Sequence, residues 1–212
     1  MHLKPLHRVL VERRAPQHFS DPPPPDGVLQ MILHAGLQAH SAYRVQPARF
    51  VVVRDSRKRA RLRRAAFNEP CVGEAPVVIV AFGRRDQWRD ALGEAFPLDV
   101  PAERLGTNRP DTVRPRASDT VERTPIRVWL HRHVTMAFTC MMLTAEALGW
   151  DTTLIERFDP TSVATTLSLP TDAEVVAMLA IGRATSVDLP EHDSRSLNHL
   201  VYSERYGEPW EG

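Results

Sequence analysis

The chain has 212 residues, about one domain's length, and its 42% hydrophobic and 25% charged residues give the balance of a soluble globular protein. A formal net charge of +1 excludes a whole-molecule field that would draw nucleic acid or a membrane surface. The longest apolar stretch, Val134 to Leu148, is interrupted by Thr135, Thr139, Thr144 and Glu146, and is too short and polar to span a bilayer.

From the N-terminus, Met1 to Leu10 lacks the apolar core of a secretion signal, which points to a cytoplasmic protein. Leu3 to Arg13 reads as a short helix with Leu6, Val9 and Leu10 on one face. The four prolines after Asp21 cannot lie inside a helix, because each lacks an amide donor and clashes with the preceding turn. Asp26 then caps a helix over Val28 to Gln38, with Val28, Leu29, Ile32, Leu33 and Leu37 as its buried stripe. Phe50 to Val53 reads as a strand, Asp55 to Phe67 as a very basic helix, and Ala75 to Phe82 as a second strand. The unbroken apolar run of that second strand suits a central position covered on both faces.

The stretch 84–125 carries Pro97, Pro101, Pro110, Pro115 and Pro125 among scattered charges. It reads as one short helix near Trp88 to Ala95 followed by a surface loop or lid, since long loops in compact domains are usually functional or disordered. Arg127 to Leu148 is a long helix with Met136, Cys140, Leu143 and Ala147 on one face, stopped by Gly149. A strand over Thr152 to Ile155, a helix over Pro160 to Leu167, and a strand over Glu174 to Ile181 ended by Gly182 complete the pattern. The tail from 186 to 212 has no core element of its own, so Leu197, Leu200, Val201 and Tyr202 need another surface to bury against. The order of elements gives one α+β domain over 1–212, without a linker and without a Gly-rich phosphate loop of either common spacing.

Several clusters admit two readings. Arg13 and Arg14 are a solvated pair at a helix end, where the dipole favours cations, or a planar grip for a phosphate. His40 to Pro47 is an ordinary loop or a polar ligand-binding connection. The seven basic residues between Arg54 and Arg64 read as a solvated helix face rather than a nucleic-acid patch, because no reading motif accompanies them. His131 and His133 are two apart on a helix and point in opposed directions, so they cannot share a metal. Cys71 and Cys140 form no metal or redox motif and read as reduced, buried thiols.

Taken in order, the segments resemble the nitroreductase family of FMN enzymes. Glu12-Arg-Arg-Ala-Pro-Gln-His-Phe19 stands where the family has an RRSxRxF-like motif. His40-Ser-Ala-Tyr-Arg-Val-Gln-Pro-Ala-Arg-Phe50 stands where it has a PSSxNxQPWxF-like motif. Phe67-Asn68 upstream of Ala75-Pro-Val-Val-Ile-Val80, then Ala145-Glu-Ala-Leu-Gly149 and Ile155-Glu-Arg-Phe-Asp159, follow in family order. Leu169-Pro170, Glu174 to Gly182, and a tail with Ser194-Arg-Ser-Leu197 and Tyr202 to Gly207 close the match.

The resemblance implies a central, mostly antiparallel sheet flanked by helices, in an intertwined homodimer with a swapped C-terminal tail and FMN held between the two copies. It further implies that Arg13, Arg14 and Arg195 bind the FMN phosphate, with Ser41, Ala42 and Arg44 contributed by the other subunit along the phosphate and ribityl side. Asn68 would hydrogen-bond the pyrimidine edge, and the backbone at Glu156 and Arg157 would face the reactive edge of the ring. Ala15 replaces the family's serine, and Gln17 replaces a basic residue that stabilises charge on reduced flavin; Arg44, in place of Asn, is the candidate substitute cation.

The implied activity is an NAD(P)H oxidoreductase that reduces an electron-poor small acceptor such as a nitroaromatic or quinone. No side chain acts as catalytic acid or base there, because the flavin carries the chemistry. The alternative, motivated by Ala15 and Gln17, is a redox-poor member that binds flavin or another ligand as a sensor or carrier.

Overall fold

Val77, Val78, Ile79, Val80 and Ala81 are all fully buried, and the sheet is built around them. A computed structural model describes residues 3–40, 46–84, 126–185 and 197–210. In chain order its elements are α1 (Leu6–Glu12), β1 (Phe19–Ser20), α2 (Asp26–Leu37), β2 (Ala48–Val53), α3 (Ser56–Ala65), α4 (Pro70–Glu74) and β3 (Val77–Arg84). There follow α5 (Ile126–Ala147), β4 (Asp151–Ile155), α6 (Pro160–Leu167), β5 (Ala173–Ala184) and α7 (Leu197–Leu200).

All strand pairs among the described residues are antiparallel. β5 is the spine of the sheet: Leu179 pairs with Ile79 of β3 on one edge and with Leu154 of β4 on the other. β2 extends the sheet beyond β3, and β1 pairs with the end of β5 at Arg183 and Ala184.

Because side chains alternate across a strand, the two central strands feed two separate cores. On one face Val77, Ile79, Ala81, Leu179 and Ile181 pack beneath α2 and α5 with Ile32, Phe138, Met141 and Trp150. On the other, Val78, Val80, Met178 and Ala180 pack with Leu62 of α3, Val72 of α4 and Val163 of α6. The sheet is therefore covered on both sides, as the unbroken apolar run of β3 requires. At Gly36 the α2 backbone touches the Met141 side chain so closely that an added Cβ would collide with it.

Several local readings are corrected or sharpened. Leu37 of the α2 stripe is 44% exposed, not buried, because it stands at the helix's last turn. Val9 of α1 is buried, but Leu6 and Leu10 are 63% and 60% exposed, so the apolar face read from spacing is not covered within the protomer. Asp26 does not cap α2; it is the first helical residue, preceded by Pro25, and it pairs with Arg54 instead. The stripe of α5 that enters the core is Leu130, Val134, Ala137, Phe138, Met141 and Ala145, whereas Met136, Cys140, Leu143 and Ala147 are only half-buried. This helix is apolar around most of its circumference, with two stripes roughly 130° apart at 3.6 residues per turn, and periodicity alone cannot choose between them. Gly182 does not end β5; the strand runs on to Ala184, and the glycine is needed because a Cβ there would lie 2.7 Å from Pro76 and 2.8 Å from Phe19.

Helix ends follow ordinary capping chemistry. Asp55 accepts from the Lys58 amide at 2.8 Å to start α3, and Asp159 accepts from the amides of Thr161 and Ser162 to start α6. Lys4 docks α1 on the end of α5: its ammonium lies 2.7 Å from the buried Glu146 carboxylate and 3.3 Å from Glu12. The described part of the tail folds back locally, with Tyr202 bridged to Pro209, while Tyr206 is 90% exposed and Leu200, Val201 and Trp210 also face outward. The proposed short helix near Trp88 to Ala95 and the 84–125 insert, apart from Arg84, lie outside the described residues.

Candidate functional site

α1 ends at Glu12, and Arg13 and Arg14 follow as half-buried residues. Their guanidiniums are held by backbone carbonyls only: Arg14 Nη1 donates to Val11 O at 2.7 Å and Arg13 O at 3.1 Å, and Arg13 Nη1 donates to Arg14 O at 3.3 Å. Neither has a carboxylate partner among the described residues. The pair is a donor set a phosphate fits, since a forked guanidinium offers paired hydrogen bonds as well as charge.

The segment continues through exposed Ala15, buried Pro16 and exposed Gln17. Thr153 of β4 donates its hydroxyl to Pro16 O at 2.5 Å, which fixes the segment against the strand whose far end leads into Glu156 and Arg157. Both of those residues are exposed, and the chain leaves the sheet there. Arg157 lies with its guanidinium carbon 5.3 Å from the Phe67 ring centroid, and its Nη2 is 3.9 Å from Glu69 Oε1. Phe67 and Asn68 are both exposed and both left-handed, with φ of 52° and 67°. Asparagine tolerates that region; phenylalanine is an outlier there.

α4 bridges the two groups. Glu74 at its end pairs with His18 at 2.9 Å, next to Gln17, and Glu69 at its start faces Arg157. The structure thus brings Arg13 to Gln17, Asn68, Glu156 and Arg157 to one side of the molecule, although they are spread over almost 150 positions of sequence. Ser41, Ala42, Arg44 and Arg195 lie outside the described residues.

Sequence reasoning missed the contacts of Arg157 with Phe67 and with Glu69. The signal was present in the Phe67-Asn68 pair, where a large aromatic follows a helix too polar to need it on its surface.

Two further titratable side chains serve packing. Cys71 is buried, and burial pushes its thiol up to about 11, so it is protonated at neutral pH and unsuited to attack. Burial also holds His133 below the ordinary histidine range, and its ring nitrogen bonds to Trp129 O at 2.8 Å as a helix-packing contact. No group of three His, Cys, Asp or Glu residues that could hold a metal occurs among the described residues. No helix among them is long and apolar enough to cross a membrane.

An antiparallel sheet covered by helices on both faces defines an α+β domain. The sequence profile of the Nitroreductase family matches residues 10–183, and the chain belongs to that family. It is 32% identical over 182 residues to a protein named NADH dehydrogenase from Thermus thermophilus, spanning 86% of this chain and 88% of that one. Among solved structures, a nitroreductase-like protein from Streptococcus mutans superposes with a TM-score of 0.80 at 21% identity, covering 94% of this chain and 98% of that one. A protein from Exiguobacterium sibiricum solved in complex with FMN gives a TM-score of 0.79 at 21% identity, covering 96% and 99%. These structural likenesses confirm the nitroreductase-like fold.

Proposed function

We propose that the protein is an FMN-dependent NAD(P)H oxidoreductase acting as a cytoplasmic homodimer, with an electron-poor small molecule such as a nitroaromatic or quinone as acceptor. The observation that carries this reading is the Pro16–Thr153 hydrogen bond, which sets Arg13 and Arg14 against the strand that delivers Glu156 and Arg157 beside Asn68. FMN, when bound, supplies the hydride chemistry: it takes two electrons from the nicotinamide donor and passes them to the acceptor.

The residues supply binding and orientation. Arg13 and Arg14, with Arg195, hold the phosphate. Asn68 presents its side-chain amide to the pyrimidine edge, and its left-handed backbone turns that amide outward beside Phe67. The exposed backbone at Glu156 and Arg157 borders the ring. Gln17 offers a neutral amide, which donates a hydrogen bond without charge, so reduction is disfavoured relative to a cation there by about 1–3 kcal/mol unless Arg44 substitutes for it. Ser41, Ala42 and Arg44 of the second copy complete the phosphate and ribityl side, the 84–125 insert acts as a lid setting acceptor size, and the 186–212 tail embraces the partner. Exposed Leu6, Leu10 and Val11 of α1, and Leu200, Val201 and Trp210 of the tail, support a second copy as the body that buries them.

The test is an anaerobic absorbance spectrum of purified protein before and after NADH and then NADPH. Flavin bands that bleach support the oxidoreductase; a colourless protein that refuses added FMN overturns it. Arg13→Ala/Arg14→Ala should weaken FMN binding by about tenfold or more, as the loss of charge-assisted hydrogen bonds requires. The exposed neutral Gln17 and Ala15 favour one other reading, a sensor or carrier, whose signature is a yellow protein that neither nucleotide bleaches.

A further inference from the structure

α3 is the most basic element of the protein, and its arginines fall into two sets. Arg59 and Arg63 are engaged: Arg59 donates to Ala75 O, and Arg63 Nε donates to Asn68 O at 3.3 Å. Arg57, Arg61 and Arg64 instead lie at successive-turn spacing along one exposed face, where like charges repel. Among the described residues none of these three has an ion-pair or hydrogen-bond partner.

Arg61 and Arg64 form one wall of a groove of about 580 Å³ between α3 and α6. The opposite wall carries Thr161, Ser162, Thr165 and Thr166. Asp159 is the groove's only carboxylate among the described residues, and it is turned to α6, accepting from the Thr161 and Ser162 amides and the Ser162 hydroxyl. The Ser162 and Thr165 hydroxyls donate to Asp159 and to Thr161 O, so the groove's donors for a ligand are the two guanidiniums with the Thr161 and Thr166 hydroxyls, a set suited to a phosphate-bearing ligand.

Its position says which ligand. Phe67, 57% exposed, lines the same groove and is followed directly by Asn68 of the flavin edge. Arg64 stands in the last turn of α3, three positions before Phe67, and Arg61 lies about one turn, or ~5 Å, further back along the helix. A nicotinamide ring lying against Phe67 is joined to its pyrophosphate through a single ribose, a reach of the same order. Arg57 lies one further turn out, toward the adenosine end.

We propose that the α3–α6 groove binds the phosphates of the pyridine dinucleotide donor, with Arg61 and Arg64 gripping the pyrophosphate. The proposal rests on the oxidoreductase reading and extends it to the donor. The additional phosphate of NADPH would meet the same positive face, so NADPH is the preferred donor.

The experiment is steady-state kinetics of FMN-loaded protein with NADPH and NADH, in the wild type and in Arg61→Ala/Arg64→Ala, with inorganic pyrophosphate as inhibitor. The expected result is pyrophosphate inhibition competitive with NADPH, and a KM for NADPH raised about tenfold in the variant, the loss falling on KM rather than on kcat. Arg61→Lys/Arg64→Lys should restore part of it by keeping the charge without the fork. A variant with full flavin absorbance whose KM for both donors stays within about twofold overturns the groove while the oxidoreductase stands. Pyrophosphate that fails to compete in the wild type does the same, whether or not the variant folds. Lost retention on immobilised DNA with donor KM unchanged would make the face a polyanion surface, also overturning the proposal. Wild-type flavin that neither nucleotide bleaches overturns both readings.

Discussion

The β3–β5 pair and α1 treat their apolar residues in opposite ways. In β3 and β5 each large apolar side chain meets another from the same chain, and Ile79, Met178, Leu179 and Ile181 are fully enclosed. In α1 only Val9 is enclosed, while Leu6, Leu10 and Val11 stand on the surface. The first region is buried within the chain, and the second leaves most of its apolar side chains exposed. Hydrophobic patterning states that a face will be buried; it does not state which body buries it.

Breaking the buried region should have the largest effect. Phe138 of α5 packs against Phe50 of β2 with ring centroids 5.9 Å apart and is essentially inaccessible. Phe138→Ala should cost about 3–5 kcal/mol, read as a fall in the urea midpoint with unchanged slope. An intermediate effect belongs to the exposed region. Leu6→Lys/Leu10→Lys should leave the protomer's urea stability in dilute monomer within about 1 kcal/mol, as surface substitutions do, yet shift sedimentation toward monomer and release FMN. A dimer that persists with its flavin would show that α1 is not part of the interface.

The smallest effect concerns the joint between the regions. Lys4→Met removes the partner of buried Glu146, and because Lys4 itself is partly exposed the cost is about 1–2 kcal/mol. The hydrogen bond to Glu146 raises the Lys4 pKa, with the Glu12 carboxylate adding to it. A raised lysine stabilises the fold fully below its ordinary value, and that contribution is lost as pH rises through the folded-state value. Wild type and Lys4→Met should therefore differ at neutral pH and converge in strong alkali; a constant gap across that range would assign the contact to packing alone.

How far the sequence could be read follows the same division. α6 runs over Pro160–Leu167 as its pattern indicates, because Asp159, Pro160 and the alternation of Val163 with threonines are local signals. The burial of β3 was equally legible from its composition. The arginine pair and Asn68 were legible only through the order of family motifs. Their approach was not, since it depends on Thr153 reaching Pro16 and on α4 spanning from His18 to Arg157, contacts between residues more than 50 positions apart or across separate elements. On α5 the spacing marked the Met136, Cys140, Leu143 and Ala147 face but not the one that enters the core: those residues are as regular in spacing as the core stripe, but lack a large aromatic such as Phe138 to fill the space above the sheet.

The left-handed backbone at Phe67 has a bearing on how this protein responds to selection. A bulky residue held there is worse by about 1–2 kcal/mol than glycine, which adopts the same φ freely. A library screened for heat tolerance alone would accordingly drift toward Phe67→Gly and lose the aromatic wall between groove and flavin edge. Thermal hardiness and donor recognition would then pull on one codon in opposite directions.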